Sequence, residues 1–252
     1  MLDLCHEMAK LEAFVHVSTA YAYCHQSESK EVIYPMLASP SKLLKMAEAM
    51  DTESFEKSAR NYFQGRPNTY TFTKALAEHY IQENLGTLPV AIGRPSVITA
   101  TWREPVKGWV DSVNGPCGAC MLGALGIART MDIKPNSVSD LVPADVVANA
   151  LIAIGWHIAT SHKNLCNSAP NQPKIFNITT GSVNPVTWEQ FLSYGREAAV
   201  ESPSIRMLRP PVTVMQGNHV NRVGHLLTKY FSELLFAYLV DLILFIMGHK
   251  RR

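Results

Sequence analysis

The sequence predicts an α/β fold built on a parallel sheet. Three observations carry that prediction. Short apolar runs without polar alternation, AFVHVS from Ala13 and LPVAIGRPSVI from Leu88, read as strands covered on both faces. Stretches with helical spacing of apolar residues fall between them. Strand and helix patterns alternate along the chain, the signature of a parallel sheet with crossover helices. Of the 252 residues, 47% are hydrophobic, too many for a disordered chain. The 23 Lys and Arg against 21 Asp and Glu leave a net charge of +2, which argues against a dedicated nucleic-acid binder.

Each element follows from its residues. Leu4, Met8 and Leu11 fall at i, i+4 and i+7, so residues 1–11 read as the end of an amphipathic helix. The strand Ala13–Ser18 follows. Residues 22–67 are mixed and polar and read as an insertion, with helical character from Pro40 to Phe55. Thr69 to Leu85 is a helix with one apolar face, and Leu88 to Ile98 the second strand. Thr99 to Met131, rich in Gly, Pro and Trp, reads as a long loop. Val142-Pro143-Ala144-Asp145 opens a helix expected to run to His157, and KIFNIT from Lys174 is a third strand. Thr187, with Glu189 and Gln190 behind it, caps a further helix.

Other features are weighed against their chemistry. The N-terminus has no basic segment followed by an apolar run, so a secretory signal is not expected. Five cysteines, an odd number, point to reduced thiols in an intracellular compartment rather than a disulfide framework. Cys117 and Cys120 form a CxxC, but no second pair completes a metal site, and neither a metal nor a redox role is expected. Asn177-Ile178-Thr179 matches a glycosylation sequon inside an expected strand and is read as coincidence. His16 reads as a core histidine rather than a catalyst, and Trp102 and Trp109 as packing for their loop. Near the C-terminus, LLFAYLVDLILFIMG is followed by HKRR. The run is shorter than the roughly 20 residues of a spanning helix and carries Asp241 at its middle. A span, a helix lying on a membrane and a helix packed in a domain all remain open; the basic end suits an anionic face.

The chemistry gathers at Tyr70 and Lys74, four residues apart and so one turn apart on one helix face. An ammonium beside a phenol stabilises the phenolate, which makes a tyrosine a usable proton donor to a nascent alkoxide near neutral pH. Such a pair also occurs on ordinary surface helices, so context matters. Upstream, Ser18 and Thr19 put hydroxyls at a strand's carboxyl end, the rim where ligands bind in open α/β sheets. Downstream, Gly93-Arg94-Pro95-Ser96-Val97 closes the next strand.

Together these resemble the extended short-chain dehydrogenase/reductase pattern. The blocks FVHVSTAY, PNTYTFTKALAE, IGRPSVI, EPVKGWVDSVNGP, DLVPADVVANALI and NITTGSVNPVTWEQF, across residues 13–192, resemble the animal fatty acyl-CoA reductases. The resemblance implies NADPH-dependent reduction of a long-chain fatty acyl-CoA to a primary alcohol through an aldehyde. Tyr70 would donate the proton, Lys74 would also contact the nicotinamide ribose, and Thr19, with Ser18 beside it, would bind the carbonyl oxygen. Pro95 and Val97 would flank the nicotinamide. The resemblance further implies a Rossmann-like sheet without its first strands and glycine turn. Residues 1–215 would form the C-terminal part of the NAD(P)-binding reductase domain. Residues 216–252 would begin the family's C-terminal helical domain, with membrane association through 226–252. It implies the peroxisomal or endoplasmic-reticulum surface as the location, although no SKL-type ending is present.

The glycine turn that brings a backbone against the cofactor pyrophosphate is not in this sequence. A second reading therefore stands beside the first: a catalytically incompetent fragment, or a membrane-associated binding paralogue without the pyrophosphate site. A third, a reductase of sterols or sugar nucleotides, is disfavoured by the NGP and NPVTW blocks.

Overall fold

The computed structural model describes residues 1–112, 114–164, 172–211 and 214–215, with isolated positions between 226 and 246. In chain order the elements are α1 (Leu2–Glu7), β1 (Phe14–Val17), a 3₁₀ turn (Ala20–Tyr23), α2 (Pro40–Ala49), α3 (Thr52–Ala59), a 3₁₀ turn (Arg60–Tyr62) and α4 (Thr69–Glu83). Then come β2 (Val90–Pro95), β3 (Val97–Thr99), α5 (Gly115–Ala124), β4 (Thr130–Met131), β5 (Leu141–Pro143), α6 (Ala144–Asn164), β6 (Lys174–Ile178), α7 (Trp188–Glu201) and β7 (Val214–Met215). The chain divides into two compact units: residues 1–107 with 142–180, and 108–141 with 181–252.

The first unit holds a parallel sheet of order β1-β2-β6. Phe14 pairs with Val90, and Ile92 with both His16 and Ile175. Every residue of β2 is buried, as the central strand of a sheet covered on both faces requires. Strand side chains alternate between faces, and the contacts follow that alternation. Val90 packs with Ile81 and Leu85 of α4 and its C-terminal turn, and with Leu2 of α1. Ala91 packs with Val147, Ile154 and Ile158 of α6. Gly93 lies on the α6 side, where a Cβ would stand 2.8 Å from Leu151 Cδ2, so its lack of a side chain lets α6 approach the strand. The expected α/β class with a parallel sheet is therefore what the chain adopts.

Several boundaries differ from expectation, each for a local reason. The expected helix 40–55 is two helices, because the Asp51 carboxylate accepts from Ser54 N at 3.0 Å and starts α3 afresh. The second strand breaks at Ser96 after Pro95, which has no N–H for the ladder. The expected insertion is not loose. Its Tyr23 is fully buried, and Phe63 stacks on Phe72 of α4 at 4.7 Å between centroids. α6 runs to Asn164 rather than His157. Its residues Ala144–Ser161 are long and apolar enough to cross a membrane by length and composition, yet Val147, Ile154 and Ile158 are buried in the core that covers the sheet.

In the second unit the expected loop 99–131 contains a helix, α5, which carries Pro116 in its first turn. Cys117 and Cys120 sit on it as free thiols. Burial first, then the neighbouring Cys117, raises the Cys120 thiol to about 11, opposite to what a redox cysteine needs. α7 starts with the expected capping box: Thr187 Oγ1 accepts from Gln190 N at 3.2 Å, and Gln190 Oε1 accepts from Thr187 N at 2.9 Å. β4 and β7 pair in parallel. The proposed boundary at 215/216 and nearly all of the apolar C-terminal run lie outside the described residues.

Candidate active site

α4 begins where it does because Asn68 caps it, its side-chain oxygen accepting from Thr71 N at 2.9 Å. That cap fixes Tyr70 in the first turn and Lys74 one turn later. Tyr70 is 54% exposed, so its phenol is open to a ligand. Lys74 Nζ stands 6.0 Å from the Tyr70 ring centroid and donates to Val17 O at 3.1 Å, at the carboxyl end of β1. One N–H of the ammonium is thus tied to the sheet, and two remain.

Ser18 and Thr19 follow directly. Ser18 N donates to Gly93 O at 2.8 Å and extends the β1–β2 ladder. The residue is buried, and among the described residues its Oγ has no hydrogen-bond partner. Thr19 Oγ1 accepts from Tyr21 N at 3.2 Å, capping the 3₁₀ turn, and donates to Pro95 O at 3.5 Å. That long bond is weak, so the hydroxyl hydrogen is held loosely while the oxygen stays in place. The structure thus brings Thr19 against Pro95 across adjacent strand ends, and Lys74 against the residue before Ser18. Val97 lies beyond the break, half-buried on β3.

Below Lys74 on the same helical stripe is Glu78, to which the sequence reading assigned no role. It forms a fully buried ion pair with Arg94 of β2: Arg94 Nε donates to Oε1 at 2.9 Å, and Nη2 to Oε2 at 2.6 Å. Arg94 also donates to Lys30 O and Val32 O, both at 2.9 Å. Its guanidinium lies 4.8 Å from the centroid of the Tyr23 ring. This guanidinium fastens α4, β2 and the segment around residue 30 to one another. Nearby, Asn177 Nδ2 donates to Ser29 O at 2.8 Å and its backbone N to Glu31 Oε1 at 2.7 Å. The sequon asparagine therefore serves the fold. A signal for the pair was present: an arginine within an otherwise apolar strand demands a buried anion, and Glu78 is four residues beyond Lys74.

Burial first, then Lys74, lowers the pKa of His16 on β1, with Glu78 opposing. His16 is accordingly neutral beside the lysine. Burial first, then Glu78, pushes the Tyr23 phenol far up; Tyr70 is exposed, and so is Tyr21, two residues beyond Thr19. An apolar groove of about 420 Å³ borders the start of α4, lined by Leu43, Phe55, Phe63, Phe72 and Leu76 among others. At about 100° per residue its apolar lining positions on α4, Phe72 and Leu76, lie about 120–160° around the helix from Tyr70 and Lys74, while Thr73 at its rim lies about 60° from Tyr70.

Residues 1–151 match the family model described as male sterility protein, an NAD-binding domain. The chain is 39% identical over 223 residues to fatty acyl-CoA reductase 1 of Xenopus laevis, covering 87% of this chain and 41% of that protein. It is 37% identical over 255 residues to fatty acyl-CoA reductase 1 of Gallus gallus, covering 100% of this chain and 47% of that protein. It thus spans less than half the length of these relatives. Among solved structures, a thiolation-reductase di-domain from an archaeal non-ribosomal peptide synthetase aligns with a TM-score of 0.50 at 13% identity, over 100% of this chain and 55% of that one. At that identity the likeness speaks for the fold alone.

Proposed function

This chain belongs to the male sterility protein family, and on that premise we propose that it carries the proton-donating side of a site that reduces long-chain fatty acyl-CoA to fatty alcohol with NADPH. The observation that carries the reading is the exposed Tyr70 beside a Lys74 fixed to the carboxyl end of β1. NADPH, bound twice in turn, would supply one hydride each time: the first would leave an aldehyde with CoA released as its thiol, the second the alkoxide of the alcohol. The residues present fit its nicotinamide end. Lys74 keeps two donors for ribose hydroxyls, and Pro95 and Val97 bracket the rim beside Thr19. The loosely engaged Thr19 hydroxyl holds the carbonyl oxygen of the substrate, with Ser18 behind it. Tyr70 gives its proton to the oxygen that becomes the alcohol. Lys74 offsets the charge left on the phenolate, and solvent restores the proton, since the ring is exposed. The apolar C-terminal run and the basic HKRR after it support membrane association through residues 226–252; the peroxisomal or endoplasmic-reticulum surface is what the family resemblance implies.

The test is NADPH titration and palmitoyl-CoA turnover by the full chain and by Tyr70→Phe. Loss of a positioned general acid lowers kcat by about 10²- to 10⁴-fold, with NADPH affinity within a few-fold of the parent. Saturable NADPH binding supports the reading. Its absence transfers the assignment to the catalytically incompetent fragment, or to the binding paralogue without a pyrophosphate site.

A further inference from the structure

Beyond β3 the chain turns through Thr101–Lys107, and this irregular segment is held with unusual firmness. The Asp145 carboxylate, in the first turn of α6, accepts from Trp102 N and Arg103 N at 2.8 Å each and from Glu104 N at 3.2 Å. Thr101 Oγ1 donates to Val106 O and draws the two ends of the loop together. These bonds, led by the one from Trp102, hold the Asp145 carboxyl at about 2, so the clamp is anionic at any working pH. The held loop nonetheless displays its side chains. Trp102 is 55% exposed, and Arg103 stacks over its ring at 4.0 Å from the centroid. A flat apolar ring with a guanidinium over it, carried on a backbone held in place and facing water, forms a surface suited to a ligand with an aromatic base and phosphates.

We infer that Asp145 is a positioning residue for the coenzyme A end of the substrate: it sets the pose in which Trp102 meets the adenine and Arg103 the phosphates. The inference rests on the acyl-CoA reading above. It adds the place of the CoA handle and the residue that shapes that place. Asp145 touches neither cofactor nor reacting atoms. It acts through three backbone N–H groups, and an asparagine there would turn its own N–H₂ toward those donors.

Hydrogen exchange by mass spectrometry on the full chain, with free CoA as the probe ligand, tests this. In Asp145→Asn the amides of residues 102–104 exchange at least about tenfold faster, while later turns of α6 keep their protection. The Kd for CoA rises about tenfold, and that for NADPH stays within twofold. Arg103→Ala, on the exposed surface, leaves exchange unchanged and weakens CoA binding by a similar factor. Unchanged amides in Asp145→Asn refute the clamp. Faster amides with an unchanged CoA Kd refute the ligand assignment, as does a parent chain that does not bind CoA. A parent that binds CoA through Arg103 but does not oxidise NADPH with acyl-CoA overturns the reduction reading and leaves this one standing.

Discussion

Glu78→Gln is the perturbation with the largest calculable effect. The substitution keeps shape and volume but removes one charge from a pair in which both side chains are 0% exposed. Guanidinium groups stay charged in proteins, so a full positive charge is left in a dry site. Removing one partner of a buried ion pair costs about 3–5 kcal/mol, mostly for the charge left behind. Two features soften it. Arg94 keeps the carbonyls of Lys30 and Val32, and the Tyr23 ring face lies 4.8 Å away, a cation–π contact. The loss should therefore fall near about 3 kcal/mol. At about 2–4 °C per kcal/mol for a domain of 150–250 residues, that is a drop in Tm of about 6–12 °C. Far-UV circular dichroism melts, with urea unfolding at 25 °C, measure it. The double variant Glu78→Leu with Arg94→Met removes both charges and should melt above Glu78→Gln. A Glu78→Gln protein melting within about 2 °C of the parent would refute the reasoning, because the guanidinium would then be solvated or otherwise paired.

Two further predictions follow from the backbone and from burial. Gly126 has φ +71°, and a Cβ there would run into the Arg209 carbonyl oxygen. Gly115 has φ +56° with open space around it. Gly115→Ala should thus cost only the left-handed conformation, about 1–2 kcal/mol, and Gly126→Ala clearly more; equal costs in urea unfolding would show that the clash is relieved freely. His16 and His79 both have pKa values lowered chiefly by burial. From about pH 6.5 downward the unfolded chain takes up protons that the folded imidazoles refuse. Stability should rise with pH from the depressed values up to about 6.5 and level off above. A Tm series from pH 5 to 8 reads the slope, which His79→Gln should reduce; a flat profile below pH 6.5 contradicts the burial argument.

The class of fold, the Thr187 cap of α7 and the helical stripe that holds Tyr70 and Lys74 were legible from the residues alone. Those depend on spacing within one element: a period of four on a helix, an unbroken apolar run on a covered strand, Thr187 with Gln190 at a helix start. Ser18, Thr19 and Pro95 were legible at strand ends for the same reason. The helical CxxC segment was not. Its glycines lower helix propensity, and what recruits them is packing within their own unit, with Cys120 facing Gly195 of α7. That Glu78 belongs to Arg94, that Lys74 is fastened to Val17 and that Asp145 holds residues 102–104 emerges with the three-dimensional packing. Each of those contacts joins residues 16 to 57 positions apart. No local period encodes such a pairing: it exists once the sheet has brought α4, β1, β2 and α6 together, and there burial makes an unpaired charge too costly to keep.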